Sequence, residues 1–127
     1  MVVARYHGQV VFCRDVAGSA ARYERCLGFH RDYDSDGDIA MRALVAGDSG
    51  ASVEIYLHPG MEPAPVHLGT FAVDDVDTAV QELSGDGWQL SDPGPVDQPW
   101  GVREATATDP EGHSITLNSP LSSQDPG

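Results

Sequence analysis

The sequence predicts an α+β fold, in which two tandem βαβββ modules form a curved mixed sheet with a concave ligand cleft. The first observation behind this prediction is an internal repeat: VFCRDVAGSAARY at 11–23 aligns with FAVDDVDTAVQEL at 71–83, at an offset of 60 residues. The second is that each half contains one short helical pattern and several short apolar runs that end at glycine, proline or aspartate. A repeat of this kind indicates two copies of one structural unit.

In the first half, the apolar run within YHGQVVFCRDV at 6–16 predicts a strand, and Asp15 follows it as the cap of a helix. The helix is predicted at about 16–26, and Gly28 ends it. One stripe of this helix is formed by Ala20, Tyr23 and Leu27. Three further strands are predicted at about 29–34, 39–46 and 52–58.

The second half repeats this order, beginning with a strand in PVHLGTFAVDDVD at 65–77. A helix is predicted at about 76–83, ended by Gly85 or Gly87. Further strands are predicted at about 88–91, 102–108 and 113–118. Each helix covers one face of its sheet, and we expect the other face to receive a ligand.

These elements set the domain boundaries. We expect one domain over 1–120, with modules at about 5–58 and 66–118 and a proline- and glycine-rich linker at 59–65. The tail at 121–127 is predicted to be disordered.

Composition narrows the classes of partner. The chain of 127 residues carries a formal net charge of −13, which argues against nucleic acid and anionic membranes and is compatible with a cationic ligand. No apolar stretch is long enough to span a membrane, and the N-terminus lacks a signal-peptide pattern, so we expect a cytoplasmic protein. Cys13 and Cys26 match no metal spacing and are expected to be reduced.

Three stretches carry a family resemblance: VVFCRDVAGSAARYERCLGF, FAVDDVDTAV and WGVREATATDPEGHSITL. Together with the doubled βαβββ order, they resemble the vicinal oxygen chelate superfamily, which includes glyoxalase I, extradiol dioxygenases and bleomycin-resistance proteins. The resemblance covers about residues 5–118. It implies that four positions correspond to the ligands of the metal-dependent members: Gly8, Glu54, Leu68 and Thr116. Only Glu54 is a good ligand among them, so no metal or other cofactor is predicted.

His7 and His67 each stand one residue before the first and third of these positions. One residue is a change of face in a strand, so both imidazoles are predicted to point away from the ligand side. Strand bulges could return them to it, which leaves open a metal site made of His7, Glu54 and His67.

Without a metal, the resemblance implies an apolar and aromatic cleft. Trp100 lies between Pro99 and Gly101 in a polar loop, and a tryptophan in such a loop is a candidate to stack on a ligand. Met41 and Trp88 could equally belong to the core, and Arg103 could equally form a salt bridge. The complete predicted ligand-binding set is Phe12, Tyr33, Met41, Glu54, Tyr56, Leu68, Trp88, Trp100, Arg103 and Thr116.

The sequence therefore favours a binding protein, nearest in kind to metal-free antibiotic-resistance proteins, that sequesters a bulky aromatic natural product without turnover. The resemblance also implies a homodimer with clefts at the interface, with the linker suited to a domain swap. Two alternatives remain open. One is a metal-dependent glyoxalase- or dioxygenase-like enzyme using His7, Glu54 and His67, and the other is a metal-free isomerase or cyclase with Glu54 as its base.

Overall fold

The computed structural model describes residues 1–35, 37–47, 49–92 and 94–121. The chain divides into two compact units, Met1–Ala64 and Pro65–Gly127, so that the boundary falls at the end of the predicted linker. Apart from Leu121, the tail predicted to be disordered lies outside the described residues.

The first unit has the predicted βαβββ order. Its elements are β1 (Gly8–Cys13), α1 (Val16–Leu27), β2 (His30–Ser35), β3 (Asp38–Leu44) and β4 (Ser52–Pro59). They form a four-stranded sheet in the order β1-β4-β3-β2, in which β1 is parallel to β4 and the other neighbours are antiparallel.

Local signals set both ends of α1. The Asp15 carboxylate accepts a hydrogen bond from the Gly18 backbone N–H at 2.9 Å, which satisfies a donor that the first turn leaves unpaired. Gly28 ends the helix in the left-handed conformation, at φ 69°, and its N–H returns to carbonyls of the last turn.

Strand alternation divides the first sheet into two faces. Val11, Cys13, Ile55 and Leu57 are at most 2% exposed and pack under α1. Their strand neighbours point to the opposite side, which we call the first free face. The second unit has an equivalent surface opposite its own helix. This surface includes Thr106 and Thr116, and we call it the second free face.

The second unit contains one more strand than predicted. Its elements are β5 (His67–Ala72), α2 (Val76–Gly85), β6 (Gln89–Leu90), β7 (Val96–Asp97), β8 (Val102–Thr108) and β9 (Ser114–Pro120). The sheet has the order β5-β9-β8-β6, and β7 also pairs with β8. Each unit forms its own mixed sheet, so the predicted mixed sheet of two βαβββ modules is present as two mixed sheets. The α+β class is confirmed, and the concave cleft stays a prediction.

The core of the second unit lies between α2 and the inner face of its sheet. Val76, Val80 and Leu83 of the helix are buried. They face a sheet surface whose buried residues are Ala105, Ala107, Ile115 and Leu117. In the part of the chain that is described, no helix has the length and apolar character needed to cross a membrane.

Candidate functional site

The first free face is defined by cross-strand register. One row across its four strands joins Val10, Tyr56, Ala40 and Tyr33, and a second row joins Gly8, Glu54, Arg42 and His30. Val10 is 44% exposed and Tyr33 is 54% exposed, and Phe12, two residues after Val10, is 46% exposed. Large apolar side chains at this level of exposure form a surface suited to an apolar ligand.

Tyr56 stands at the centre of a polar group on this face. Its hydroxyl lies 3.1 Å from Nδ1 of His7, and the two ring centroids are 5.7 Å apart. Partial burial and a hydrogen bond to the neighbouring Glu54 carboxylate raise the pKa of Tyr56 above its ordinary value. The phenol is therefore neutral at physiological pH and can donate a proton into a hydrogen bond.

The predicted orientation of His7 is wrong. It was expected to point away from the ligand side, yet its ring contacts Tyr56, which belongs to the first free face. The reason is that β1 begins at Gly8, so His7 precedes the strand and is not held to the strand's alternation.

Gly8 has a packing role. A Cβ atom at this position would collide with the carbonyl oxygen of Glu54 and would lie 2.9 Å from Cε2 of Tyr56. The missing side chain therefore admits the Tyr56 ring close to the β1 backbone.

Two predicted ligand contacts belong to the core instead. Met41 pairs with Ile55 on the side of the sheet that faces α1 and is 0% exposed. Trp88 follows α2 and is 3% exposed. Both are large apolar residues that the core of their own unit has buried.

On the second free face, a bulge moves the other histidine. The register shifts between His67 and Thr70, so that these residues stand opposite Ser114 and Thr116. Gly69 within the shift has φ 124°, a conformation that residues with side chains rarely adopt. His67, and not Leu68 as predicted, consequently reaches the free-face residue Thr116, with Nε2 3.0 Å from its hydroxyl.

The rest of the second free face carries hydroxyl groups. The hydroxyl oxygens of Thr116 and Thr106 are 3.3 Å apart, and Thr70 stands beside Thr116 in register. This face therefore offers hydrogen-bonding groups where the first offers aromatic rings.

Arg103 lies on the other side of the second sheet. It shares the alternation of Ala105 and Ala107, which face α2, so it is not part of the free face with Thr116. Its guanidinium holds Asp77 through two hydrogen bonds of 2.9 and 3.2 Å and Asp97 through one of 2.9 Å. Hydrogen bonds to these two carboxylates raise the pKa of Arg103. The salt-bridge alternative for this residue is therefore the one that the structure contains.

Trp100 lies in the turn between β7 and β8 and is 66% exposed, so it is not a core residue. The turn is closed by a hydrogen bond of 3.1 Å from the Gly101 N–H to the Gln98 carbonyl. Contact between Trp100 and a ligand stays a prediction.

The four positions that the resemblance implies do not fit a divalent metal ion. Gly8 has no side chain, the Leu68 side chain has no donor atom, and the Thr116 hydroxyl is hydrogen-bonded to His67. Across the described ranges, no group of three or more His, Cys, Asp or Glu side chains is arranged to hold a metal. The alternative set with His7 and His67 is divided between the two units and stays a prediction.

Sequence reasoning missed a pair at the edge of the first free face. Nδ1 of His58 lies 2.7 Å from the Asp38 carboxylate, and the His58 ring lies 6.2 Å from that of Phe12. The predicted strand ends do not give this pair, because the register that sets Ile39 opposite Leu57, and so Asp38 next to His58, is defined only by the pairing of β3 with β4.

Comparisons with known proteins agree with this architecture. The family model described as Glyoxalase/Bleomycin resistance protein/Dioxygenase superfamily matches residues 5–117. No protein with a curated description matches the chain in sequence. A superfamily member from Sphaerobacter thermophilus has 20% identity and a TM-score of 0.69, over 92% of this chain and 98% of that one.

Two other solved structures are similar in fold. TioX from Micromonospora sp. ML1 has 19% identity and a TM-score of 0.67, covering 92% of this chain and 100% of its own. The genomically encoded fosfomycin resistance protein FosX from Listeria monocytogenes, in complex with Mn(II) and sulfate, has 17% identity and a TM-score of 0.70, covering 96% and 94%. The family match over residues 5–117 and the shared architecture lead to one conclusion: the chain belongs to the glyoxalase/bleomycin resistance protein/dioxygenase superfamily.

Proposed function

We propose that the protein binds a bulky aromatic natural product and sequesters it, as a resistance protein, without a metal and without turnover. The observation that carries this proposal is the first free face. Tyr33, Val10 and Phe12 remain about half exposed on it, and the ring of Tyr56 lies between them in register. Because about half of each side chain is already covered, burial of the rest against a flat ligand contributes on the order of 1 kcal/mol for each.

The family supports this proposal in a general way. Its description includes bleomycin resistance proteins, and FosX, which is similar in fold, is described as a fosfomycin resistance protein. The four positions that correspond to metal ligands supply one carboxylate. Sequestration without a metal does not require a complete ligand set at these positions.

The test is direct binding of aromatic antibiotics to the purified protein, measured by calorimetry. Phe12→Ala and Tyr33→Ala should each weaken a bound antibiotic by about 1–3 kcal/mol, because each removes a ring from the contact surface. Trp100→Ala should do the same if its ring stacks on the ligand. Met61→Ala, which changes an exposed side chain outside the sheets, serves as the control.

The fate of the antibiotic distinguishes sequestration from chemistry. The compound should be recovered unchanged after incubation with the protein. Recovery of a modified compound would contradict sequestration, and the absence of binding to every aromatic antibiotic tested would contradict the proposed ligand class.

A metal-free isomerase or cyclase is the second candidate, favoured by the contact of Tyr56 with both His7 and Glu54. A carboxylate beside a neutral phenol can act as a base whose partner is held in place. Glu54→Gln should then abolish turnover and retain binding, whereas a sequestering protein has no turnover to lose.

We further propose a cytoplasmic homodimer. Among the described strands, β1 and β5 stand at the outer edges of their own sheets, and edge strands can pair with another chain. Analytical ultracentrifugation should give twice the mass of the 13.5 kDa chain, and a monomer at micromolar concentration would contradict the dimer.

A further inference from the structure

We propose that the first free face binds the cationic end of an aromatic ligand, with the Glu54 carboxylate as its counter-charge and the rings of Tyr33 and Tyr56 as its π surfaces. This inference rests on the proposed function and names the ligand class: an aromatic ring system that carries a protonated amine or a quaternary ammonium group.

Glu54 supplies a negative charge to the first free face. Arg42, its cross-strand partner on the face, already donates from Nε to the Asp32 carboxylate at 2.6 Å. Within the described residues, no ion pair includes Glu54. Asp32 thus holds the guanidinium that stands next to Glu54, and the Glu54 carboxylate on this aromatic face can pair with a ligand cation.

The tyrosine rings of the first free face are neutral and can bind a cation. Tyr56 is neutral at pH 8, since its ordinary pKa is 10.0 and partial burial and the Glu54 carboxylate raise it further. Tyr33 stands in the same cross-strand row, one strand away, and is 54% exposed. A cation within about 6 Å of such a ring face is attracted to it, and a nearby carboxylate adds to that attraction.

The net charge of the whole chain also attracts cations. A net charge of −13 attracts cations to the surface and repels anionic aromatic compounds. Attraction by net charge alone has no preferred location, so the experiment must separate it from a site at Glu54.

The experiment compares two dyes of one shape: acridine, which is neutral at pH 8, and N-methylacridinium, which carries a permanent charge. Their dissociation constants are measured by fluorescence titration of the full chain at low and at physiological salt. We expect N-methylacridinium to bind about tenfold more tightly than acridine at both salt concentrations.

Substitutions locate the preference. Glu54→Gln should reduce the ratio of the two affinities about threefold, because the amide keeps the shape and removes the charge while the rings remain. Glu62→Gln, at an exposed position in the linker, makes the same change in net charge and should keep the ratio. Tyr33→Leu should reduce the ratio about threefold, because it removes a π surface and keeps an apolar side chain.

Each other result has a defined meaning. Equal affinities for the two dyes would overturn this inference and leave the proposed function standing. A preference lowered equally by Glu54→Gln and Glu62→Gln, or one that disappears at physiological salt, would overturn it in favour of general attraction by net charge. Failure of both dyes to bind would overturn the inference, and absence of binding by aromatic antibiotics would overturn the proposed function separately.

Discussion

At the repeat offset, two helix-facing positions of β4 and β9 carry identical residues, whereas the free-face positions beside them differ. Ile55 and Leu57 of the first unit correspond to Ile115 and Leu117 of the second, and all four are at most 2% exposed. On the free faces, Glu54 corresponds to Ser114 and Tyr56 to Thr116. Packing against a helix restricts which residues fit on one face, whereas the other face can carry different functional groups in the two units.

His7 and His67 stand at equivalent positions of the two units and make equivalent contacts. His7 lies 3.1 Å from the hydroxyl of Tyr56, and His67 lies 3.0 Å from the hydroxyl of Thr116, which is the equivalent position. In each unit, the histidine at the start of the edge strand thus contacts the strand beside it. This shared contact is a structural reason for two histidines at one offset, and it requires no metal.

The largest expected effect tests whether the two cores are equivalent. Leu57→Ala and Leu117→Ala should each lower the free energy of unfolding by about 2–5 kcal/mol, because each leaves a cavity under a helix. Urea denaturation measures both. Leu44→Ala is the control, since Leu44 is 63% exposed and its loss should cost little. A cost below about 1 kcal/mol in only one unit would break the comparison.

The next effect compares a glycine of the first free face with a glycine at the end of α2. Gly8→Ala should destabilise the protein by about 1–3 kcal/mol, because the new methyl group collides with the Glu54 carbonyl and displaces Tyr56. Gly85→Ala, at the end of α2, meets nothing within 4 Å and should stabilise it by about 0.4–1 kcal/mol. Thermal unfolding of both variants would reveal the opposite signs, and equal signs would contradict this account of Gly8.

A smaller effect sharpens the equivalence of the histidines. His7→Ala and His67→Ala should each cost about 0.5–1.5 kcal/mol, the usual contribution of one hydrogen bond. Double-mutant cycles with Tyr56→Phe and Thr116→Val measure the coupling of each pair. Similar coupling in the two units supports a common structural role. Coupling in one unit only would mean that its histidine has been retained for another purpose.

The smallest effect concerns Tyr56 at high pH. Its folded-state pKa is raised above the ordinary 10.0, so the folded protein holds the phenolic proton more tightly than the unfolded chain. The stability from this group is complete below about pH 10 and is lost as the pH rises through the folded-state pKa. The absorbance titrations of the protein and of Tyr56→Phe should differ by one tyrosine, which ionises above pH 10. An unchanged titration in the variant would contradict the assignment.

Most of the fold could be predicted because its signals are local. Asp15 and Asp75 mark helix starts from their own side chains, and each carboxylate accepts a hydrogen bond from the first turn. Strand alternation separated Glu54 and Tyr56 from Ile55 and Leu57 without knowledge of any partner strand.

The errors arose where position depends on a neighbouring strand. Gly69 within β5 is compatible with a bulge, but only the pairing with β9 shows that the register shifts between His67 and Thr70. β7 is two residues long and exists through its contacts with β8. Arg103 was assigned to the ligand site from its charge, whereas Asp77 and Asp97, which are distant from each other in sequence, determine where it lies.

The bulge at Gly69 has a consequence for how this protein can evolve. Within the described residues, β5 is an edge strand whose partner is β9, so one residue inserted into or deleted from it disturbs that ladder of hydrogen bonds. Such a change of length exchanges the side chains that reach the free face while the β8–β9 pairing stays as it is. Relatives can therefore replace an imidazole by an apolar side chain at this position through a one-residue insertion or deletion, without any substitution.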